Sequence, residues 1–215
     1  MPVRTLAALL VCAAALTLSG CAPIPIEWKD GGGTGGSATA ESGDAAAQLG
    51  SLRVVRAGSM RGYKRAEFGE WRDTGANCNV RDSVLKRDGL KVKTSGCNVV
   101  AGTWISSYDG RTLDSPTEVD IDHLVPLANA WRSGASAWSG EQRADFANDL
   151  DRPQLVAVSR TANRAKGDQD PSTWKPSSRD RWCGYAADWI AVKAYWKLTV
   201  TGAEKAALAD MLEEC

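Results

Sequence analysis

Glu118-Val119-Asp120-Ile121-Asp122-His123-Leu124-Val125-Pro126-Leu127 holds the single histidine of a 215-residue chain. Apolar and acidic residues alternate here, which predicts a strand over 118–124. Val119, Ile121 and His123 share one face, and Asp120, Asp122 and Leu124 the other. Gln154-Leu155-Val156-Ala157-Val158 reads as a second short strand. Ser159 then caps a helix that runs through Asn163 and Lys166 and stops at Gly167. Strand, connection, strand and helix bring the end of the first strand near the start of the helix, where side chains from both can share a metal ion. His123 is the side chain whose ordinary pKa suits acid–base chemistry near neutrality.

Working outward, Arg61 to Trp71 reads as a short helix with Tyr63, Phe68 and Trp71 on its apolar side. A second helix is expected from Arg81 to Asp88, ending at Gly89, and strands at Leu90 to Thr94 and Val99 to Ser106. Ser139 with Gln142 opens a helix to about Asn148. Ser178 starts a longer one, whose Trp182, Tyr185, Ala186, Trp189 and Trp196 recur at the spacing of a core-facing stripe. Thr201 with Glu204 opens a last helix that ends at Cys215. The expected fold class is α+β, a mainly helical single domain over 51–215 around a small ββα unit.

The start of the chain has a different character. Arg4, the apolar run Leu6 to Leu18 and Leu18-Ser19-Gly20-Cys21 read as a lipoprotein signal peptide over 1–20, with Cys21 as the lipidated residue. The run is too short to span a bilayer comfortably. Residues 21–50, with Gly31-Gly32-Gly33-Thr34-Gly35-Gly36-Ser37, read as a flexible tether. The expected location is outside the cytoplasm, anchored to a membrane through the lipid or secreted. Of 26 basic and 26 acidic residues, Arg4, Lys29, Glu27, Asp30, Glu41 and Asp44 precede the domain, leaving it 24 basic and 22 acidic. That balance excludes a general nucleic-acid coat and requires any nucleic-acid contact to come from local clustering. Cys12 lies in the signal, and Cys78, Cys97, Cys183 and Cys215 remain. Three pairings of these four exist, and Cys78–Cys97 with Cys183–Cys215 is favoured because each clips a local unit. A four-cysteine zinc site is disfavoured, since there is no Cys-x-x-Cys pair.

Phosphodiester hydrolysis needs a base for water, charge stabilisation at phosphorus and neutralisation of the leaving 3′ oxygen. One histidine and one hard cation on oxygen ligands can supply most of this. Asp122 and Asn163 suit the cation if the two elements pack together, with His123 beside the phosphate. Neighbours on a regular strand face opposite ways, so a bend after Asp122 is expected. Asp122-His123-Leu124-Val125-Pro126, Phe146-Ala147-Asn148-Asp149, Leu155-Val156-Ala157-Val158 and Ala162-Asn163-Arg164-Ala165-Lys166-Gly167-Asp168 resemble the HNH (His-Me finger) endonucleases. They are most similar to exported HNH proteins related to the C-terminal domain of GmrSD-type restriction endonucleases. Tyr63, Phe68-Gly69, Trp71, Cys78, Arg81, Arg87-Asp88, Cys97, Trp174, Cys183 and Val192-Lys193 extend the likeness over nearly all of 60–215.

The resemblance implies a ββα-metal (His-Me finger) motif with Asp122 and Asn163 as metal ligands and His123 as general base. The amide that orients His123 would be Gln154 or Asn148. Lys166, Arg164 and Arg160 have a place beside phosphate oxygens, Lys166 also as a catalytic residue. From 151 to 182 there are seven basic and four acidic residues, a modest local excess. Arg81 and Asp88 would form an internal ion pair or touch substrate, and Asp120 is expected to be exposed. The implied activity is a metal-dependent endonuclease acting on extracellular nucleic acid, DNA rather than RNA, with Mg2+ or alternatively Mn2+. A nick leaving a 5′-phosphate, little base specificity and a monomeric protein are expected. The competing reading is a non-catalytic lipoprotein that binds an envelope polymer or protein partner, supported by nine Trp residues. A zinc hydrolase lacks ligands.

Overall fold

The two predicted strands pair antiparallel, with Ile121 opposite Ala157, Asp122 opposite Val156 and His123 opposite Leu155. The computed structural model describes residues 35–215. The signal peptide, Cys21 and the start of the tether lie outside the described residues. In chain order the elements are α1 (Gly35–Ser51), β1 (Asp73–Gly75), β2 (Cys78–Asn79), α2 (Val80–Asp88), β3 (Leu90–Ser95), β4 (Asn98–Ile105) and β5 (Thr112–Leu113). They continue with β6 (Val119–His123), α3 (Leu127–Arg132), α4 (Gly140–Ala147), β7 (Leu155–Ser159), α5 (Arg160–Lys166), α6 (Trp182–Tyr195) and α7 (Gly202–Leu212). Helix outweighs strand, and the sheets are small: β1 with β2, β3-β4-β5, and β6 with β7. The fold is α+β.

The β6–β7 ribbon divides two cores. Its alternation puts Val119, Ile121, Leu155 and Ala157 with Val84 and Leu85 of α2, Trp104 and Leu113. Its other face puts Val156 and Val158 with Tyr108, Leu124 and the larger cluster built on Tyr185, Trp189 and Ile190 of α6. A two-stranded ribbon leaves edge groups unpaired, and α2 meets them. Ala157 N–H donates to Asp88 Oδ2 (3.0 Å), and Arg87 Nη2 donates to the Leu155 carbonyl (2.5 Å). Arg81 Nη2 donates to the Val119 and Pro116 carbonyls at 3.0 and 3.3 Å. Arg81 and Asp88 therefore do not pair with each other; Asp88 pairs with Arg87. Both serve backbone groups of the ribbon.

Local signals set most helix ends. Asn79 and Asp82 form a capping box for α2, Ser139 caps α4, Ser159 caps α5, and Thr201 with Glu204 forms the box of α7. The disulfides are Cys78–Cys97 and Cys183–Cys215, the pairing favoured above. Between α6 and α7, buried Lys193 Nζ lies 2.6 Å from Glu204 Oε1 and donates to Ser133 Oγ and the Thr199 carbonyl. Trp189 Nε1 donates to the same carboxylate at 2.8 Å. Burial pushes the Lys193 ammonium below its usual pKa, and Glu204 opposes that shift.

Two expectations are corrected. The tether does not extend to Gly50, because α1 occupies Gly35–Ser51 and packs on α6 and α7. Ala45 and Leu49, one helical turn apart, are buried there, and the alanine-rich stretch favours helix. The helix expected from Arg61 to Trp71 is a single 3-10 turn, Arg65–Phe68. Gly62 and Gly69 bracket it at φ +81° and +73°, outside helical space. Tyr63 and Phe68 pack against Trp131, whereas Trp71 goes to the ribbon.

Gly89 separates α2 from β3 where nothing larger fits: a Cβ there would meet Val92 Cγ2 at 2.5 Å and Trp104 Nε1 at 2.6 Å. Gly89→Ala is expected to lower unfolding free energy by about 1–3 kcal/mol in urea titration. Gly184→Ala, in open space on α6, should be neutral or stabilise by up to ~1 kcal/mol.

Candidate active site

His123 ends β6 and is 5 % exposed. The indole of Trp71 stacks on it at 5.3 Å between centroids and 8° between planes. Nε2 lies 2.9 Å from the Ala147 carbonyl. A carbonyl only accepts, so Nε2 carries the proton and Nδ1 keeps the lone pair. Burial pushes the ring down to a pKa of about 3, the Ala147 bond opposes this, and the charges of Arg65 and Lys166 add to the lowering. The imidazole is neutral at physiological pH.

Neither expected amide touches the ring. Gln154, fully buried, brackets one residue: Oε1 accepts from Val125 N–H (3.1 Å) and Nε2 donates to the Val125 carbonyl (3.0 Å). Its own carbonyl accepts from Leu124 N–H at 2.7 Å. These bonds fix the bend at 124–125 that follows His123, so the chain turns after His123 and not after Asp122. Asn148 Oδ1 accepts from Arg72 N–H (2.9 Å), and Nδ2 donates to the Glu70 carbonyl (3.2 Å). It braces both neighbours of Trp71, the ring beneath His123. The adjacent residue, Ala147, supplies the orienting carbonyl. Gln154 and Asn148 are thus positioning residues that act through the backbone.

Asp122 is buried beside α5. Its Oδ2 accepts from Tyr108 Oη (2.6 Å) and Lys166 Nζ (2.7 Å). Lys166 also donates to the His123 carbonyl at 3.0 Å and has no exposed surface. It therefore does not lie beside substrate phosphate, because its ammonium is spent inside the protein on Asp122 and the strand end. Burial, with the Asp122 charge, raises the Tyr108 phenol well above its usual pKa and keeps it a donor. Asn163 Nδ2 donates to Asp120 Oδ2 at 3.0 Å, which leaves Oδ1 as its free acceptor. Asp120 is not simply exposed; it orients Asn163 and lies 3.9 Å from Arg160 Nε. Arg160 also donates to the Thr117 carbonyl at 3.2 Å, and Arg164 is exposed on α5 outside the cavity described next.

A polar cavity of about 250 Å³ collects Asp122, His123 and Asn163 with Tyr63, Arg65 and Asp168. A second, of about 240 Å³, adjoins His123 and is lined by Arg65, Glu70, Trp71 and Ala147. Asp122 Oδ1 and Asn163 Oδ1 accept no hydrogen bond among the described residues, and both residues line this one cavity. Such a pair fits a Mg2+-like ion whose other ligands are water and phosphate. Among the described residues no group of three or more His, Cys, Asp or Glu side chains is placed to hold a metal. Trp71, Tyr108 and Arg65 were missed as site residues: their contacts are tertiary, and no spacing in the sequence announces them.

The lowered His123 pKa has a thermodynamic consequence. A histidine neutral when folded contributes stability above its unfolded pKa, and loses it as pH falls toward the folded value. Metal-free protein should lose up to about 4–5 kcal/mol between pH 6.5 and 3 from this group. NMR of the one histidine should show a neutral Nε2–H ring with no titration between pH 8 and 5. A ring that titrates near pH 6.5 would contradict the buried geometry.

Residues 80–211 match the family model described as the C-terminal domain of GmrSD restriction endonucleases. An uncharacterized secreted protein of Arthroderma benhamiae is 49 % identical over 168 residues, covering 78 % of this chain and 82 % of that protein. No solved structure matches. On the family match and this relative, the chain belongs to the GmrSD restriction endonuclease C-terminal domain family.

Proposed function

We propose that the protein is a divalent-metal-dependent endonuclease of the HNH (His-Me finger) type, acting on extracellular nucleic acid with little sequence specificity. One observation carries the reading: a single cavity collects a neutral imidazole with a free Nδ1 and the oxygens of Asp122 and Asn163 at the end of a β6–β7–α5 unit. The family name supports it.

His123 Nδ1 takes the proton from water as that water attacks phosphorus in line. The Ala147 carbonyl holds the other ring proton, and Trp71 holds the ring plane. An anionic phosphate in the cavity favours the imidazolium, which burial alone disfavours, so the base is strengthened where its substrate binds. Asp122 and Asn163 would hold the ion, Mg2+ or alternatively Mn2+. When bound, the ion supplies charge neutralisation at phosphate and at the departing 3′ oxygen. Lys166 offsets the charge of Asp122. The residues that would hold the ion thus carry little net charge. Cleavage leaves a 5′-phosphate.

Among the described residues no separate base-reading module accompanies the site, in keeping with low specificity, and DNA is the favoured substrate over RNA. The Leu18-Ser19-Gly20-Cys21 signal, two disulfides and a relative described as secreted support export. Cys21 would anchor a monomeric enzyme to the outer face of a membrane.

Plasmid nicking tests the proposal. The full chain should nick DNA with Mg2+ and stop in EDTA. His123→Ala should lower the rate about 10²–10⁴-fold while the protein stays folded. Cleavage that survives either EDTA or His123→Ala rules the mechanism out.

A further inference from the structure

Between Asp44 and Glu67 the chain has no acidic residue and five basic ones: Arg53, Arg56, Arg61, Lys64 and Arg65. All five are exposed. Apart from Arg164, exposed on α5, the other basic residues around the site are engaged. Arg160 pairs with Asp120, Arg152 with Asp149, Arg181 with Asp180, Arg179 with Glu214 and buried Lys166 with Asp122. The side chains of the five make no hydrogen bond or ion pair among the described residues.

The segment carrying them is fixed to the body by its backbone. Val55 N–H donates to the Val200 carbonyl (2.8 Å), Val200 N–H to the Arg53 carbonyl (3.1 Å) and Gly58 N–H to the Arg132 carbonyl (2.7 Å). A Cβ at Gly58 would come within 2.9 Å of the Arg132 carbonyl. Tyr63 packs edge-on against Trp131 at 5.8 Å, and the segment ends in the 3-10 turn that carries Arg65. Arg65 lines both cavities that adjoin His123. A strap of uncompensated cations, held in place by its main chain, therefore leads to the catalytic histidine.

We propose that the strap 53–65 is the nucleic-acid backbone track of this protein, with Arg53, Arg56, Arg61 and Lys64 on flanking phosphates and Arg65 on the scissile phosphate. The inference rests on the nuclease reading and deepens it. Uncompensated, exposed cations exchange condensed counterions for phosphates without reading bases. Arg65 at the cavity mouth offers two donors to one phosphate while His123 addresses the water. Val54, Val55 and Met60 are also exposed, at 50, 42 and 39 %. A basic strap with such residues also suits an anionic membrane surface. Its continuity with the His123 cavities favours nucleic acid.

The test is binding of the full chain to a short labelled DNA duplex in EDTA, by anisotropy across a salt series. Arg53→Gln/Arg56→Gln/Arg61→Gln should reduce the slope of log K against log salt by about 2–3, near 0.7–0.9 per charge removed. Arg65→Gln should lower kcat about a hundredfold in Mg2+, the scale for losing one donor to developing charge. Neutralising Lys86, Lys91 and Lys93, exposed on α2 and β3, should change the slope by less than one. The track is overturned if the strap variant keeps the wild-type slope while the wild type still cleaves. It is also overturned if the lysine control loses as much, or if the strap variant loses only its binding to phosphatidylserine vesicles. A wild type that neither binds nor cleaves DNA, with Mg2+ present, overturns the nuclease reading as well.

Discussion

Buried Lys166 holds the site together. Its ammonium reaches from the last turn of α5 to Asp122 Oδ2 and to the His123 carbonyl, so one cation ties the helix to two successive residues of β6. Desolvating a lysine is costly unless the charge is paired and its donors are used. Here the carboxylate, the carbonyl and the nearby Tyr108 ring meet that condition. With Asp122 Oδ2 committed, the carboxylate is oriented and Oδ1 is left without a hydrogen bond among the described residues. The same bond sets α5 so that Asn163 lines that cavity.

A second set of constraints fixes the histidine without polar side chains touching it. Gln154 holds the bend after His123, Asn148 holds the segment that carries Trp71, and Ala147 presents the carbonyl. The ring sits between a main-chain acceptor and an indole face, each secured by a buried amide one step away. Loss of either amide should therefore loosen the hold on the imidazole rather than abolish it. On the other face of the ribbon, α2 meets the open edge through Arg81, Arg87 and Asp88. Both edges of the site thus depend on tertiary partners.

The sequence made legible what is encoded locally. Alternation announced β6, and Ser159 with Gly167 bounded α5. Thr201 with Glu204 opened α7, and cysteine spacing favoured the two disulfides. Asp122, His123 and Asn163 were legible because their elements were, and they line one cavity. Roles that depend on tertiary packing were not legible. Lys166 looked like a phosphate ligand because lysines are ordinarily exposed. Gln154 and Asn148 looked like ring partners because nothing in a sequence shows that a backbone carbonyl already occupies Nε2. Small and polar residues before Gly50 resembled a tether, yet Ala45 and Leu49 gave α1 a face to bury. The unpaired run of five cations after Asp44 was a visible signal, but it lay outside the motif.

The organising role of the Lys166–Asp122 pair is open to one direct measurement. A double-mutant cycle in unfolding free energy, with Lys166→Met, Asp122→Asn and the double variant, isolates the interaction from the other losses each substitution brings. The expected coupling is about 2–3 kcal/mol, with each single variant strongly destabilised by the partner left buried and unpaired. A coupling within about 0.5 kcal/mol of zero would contradict it. The site would then owe its geometry to the surrounding packing alone.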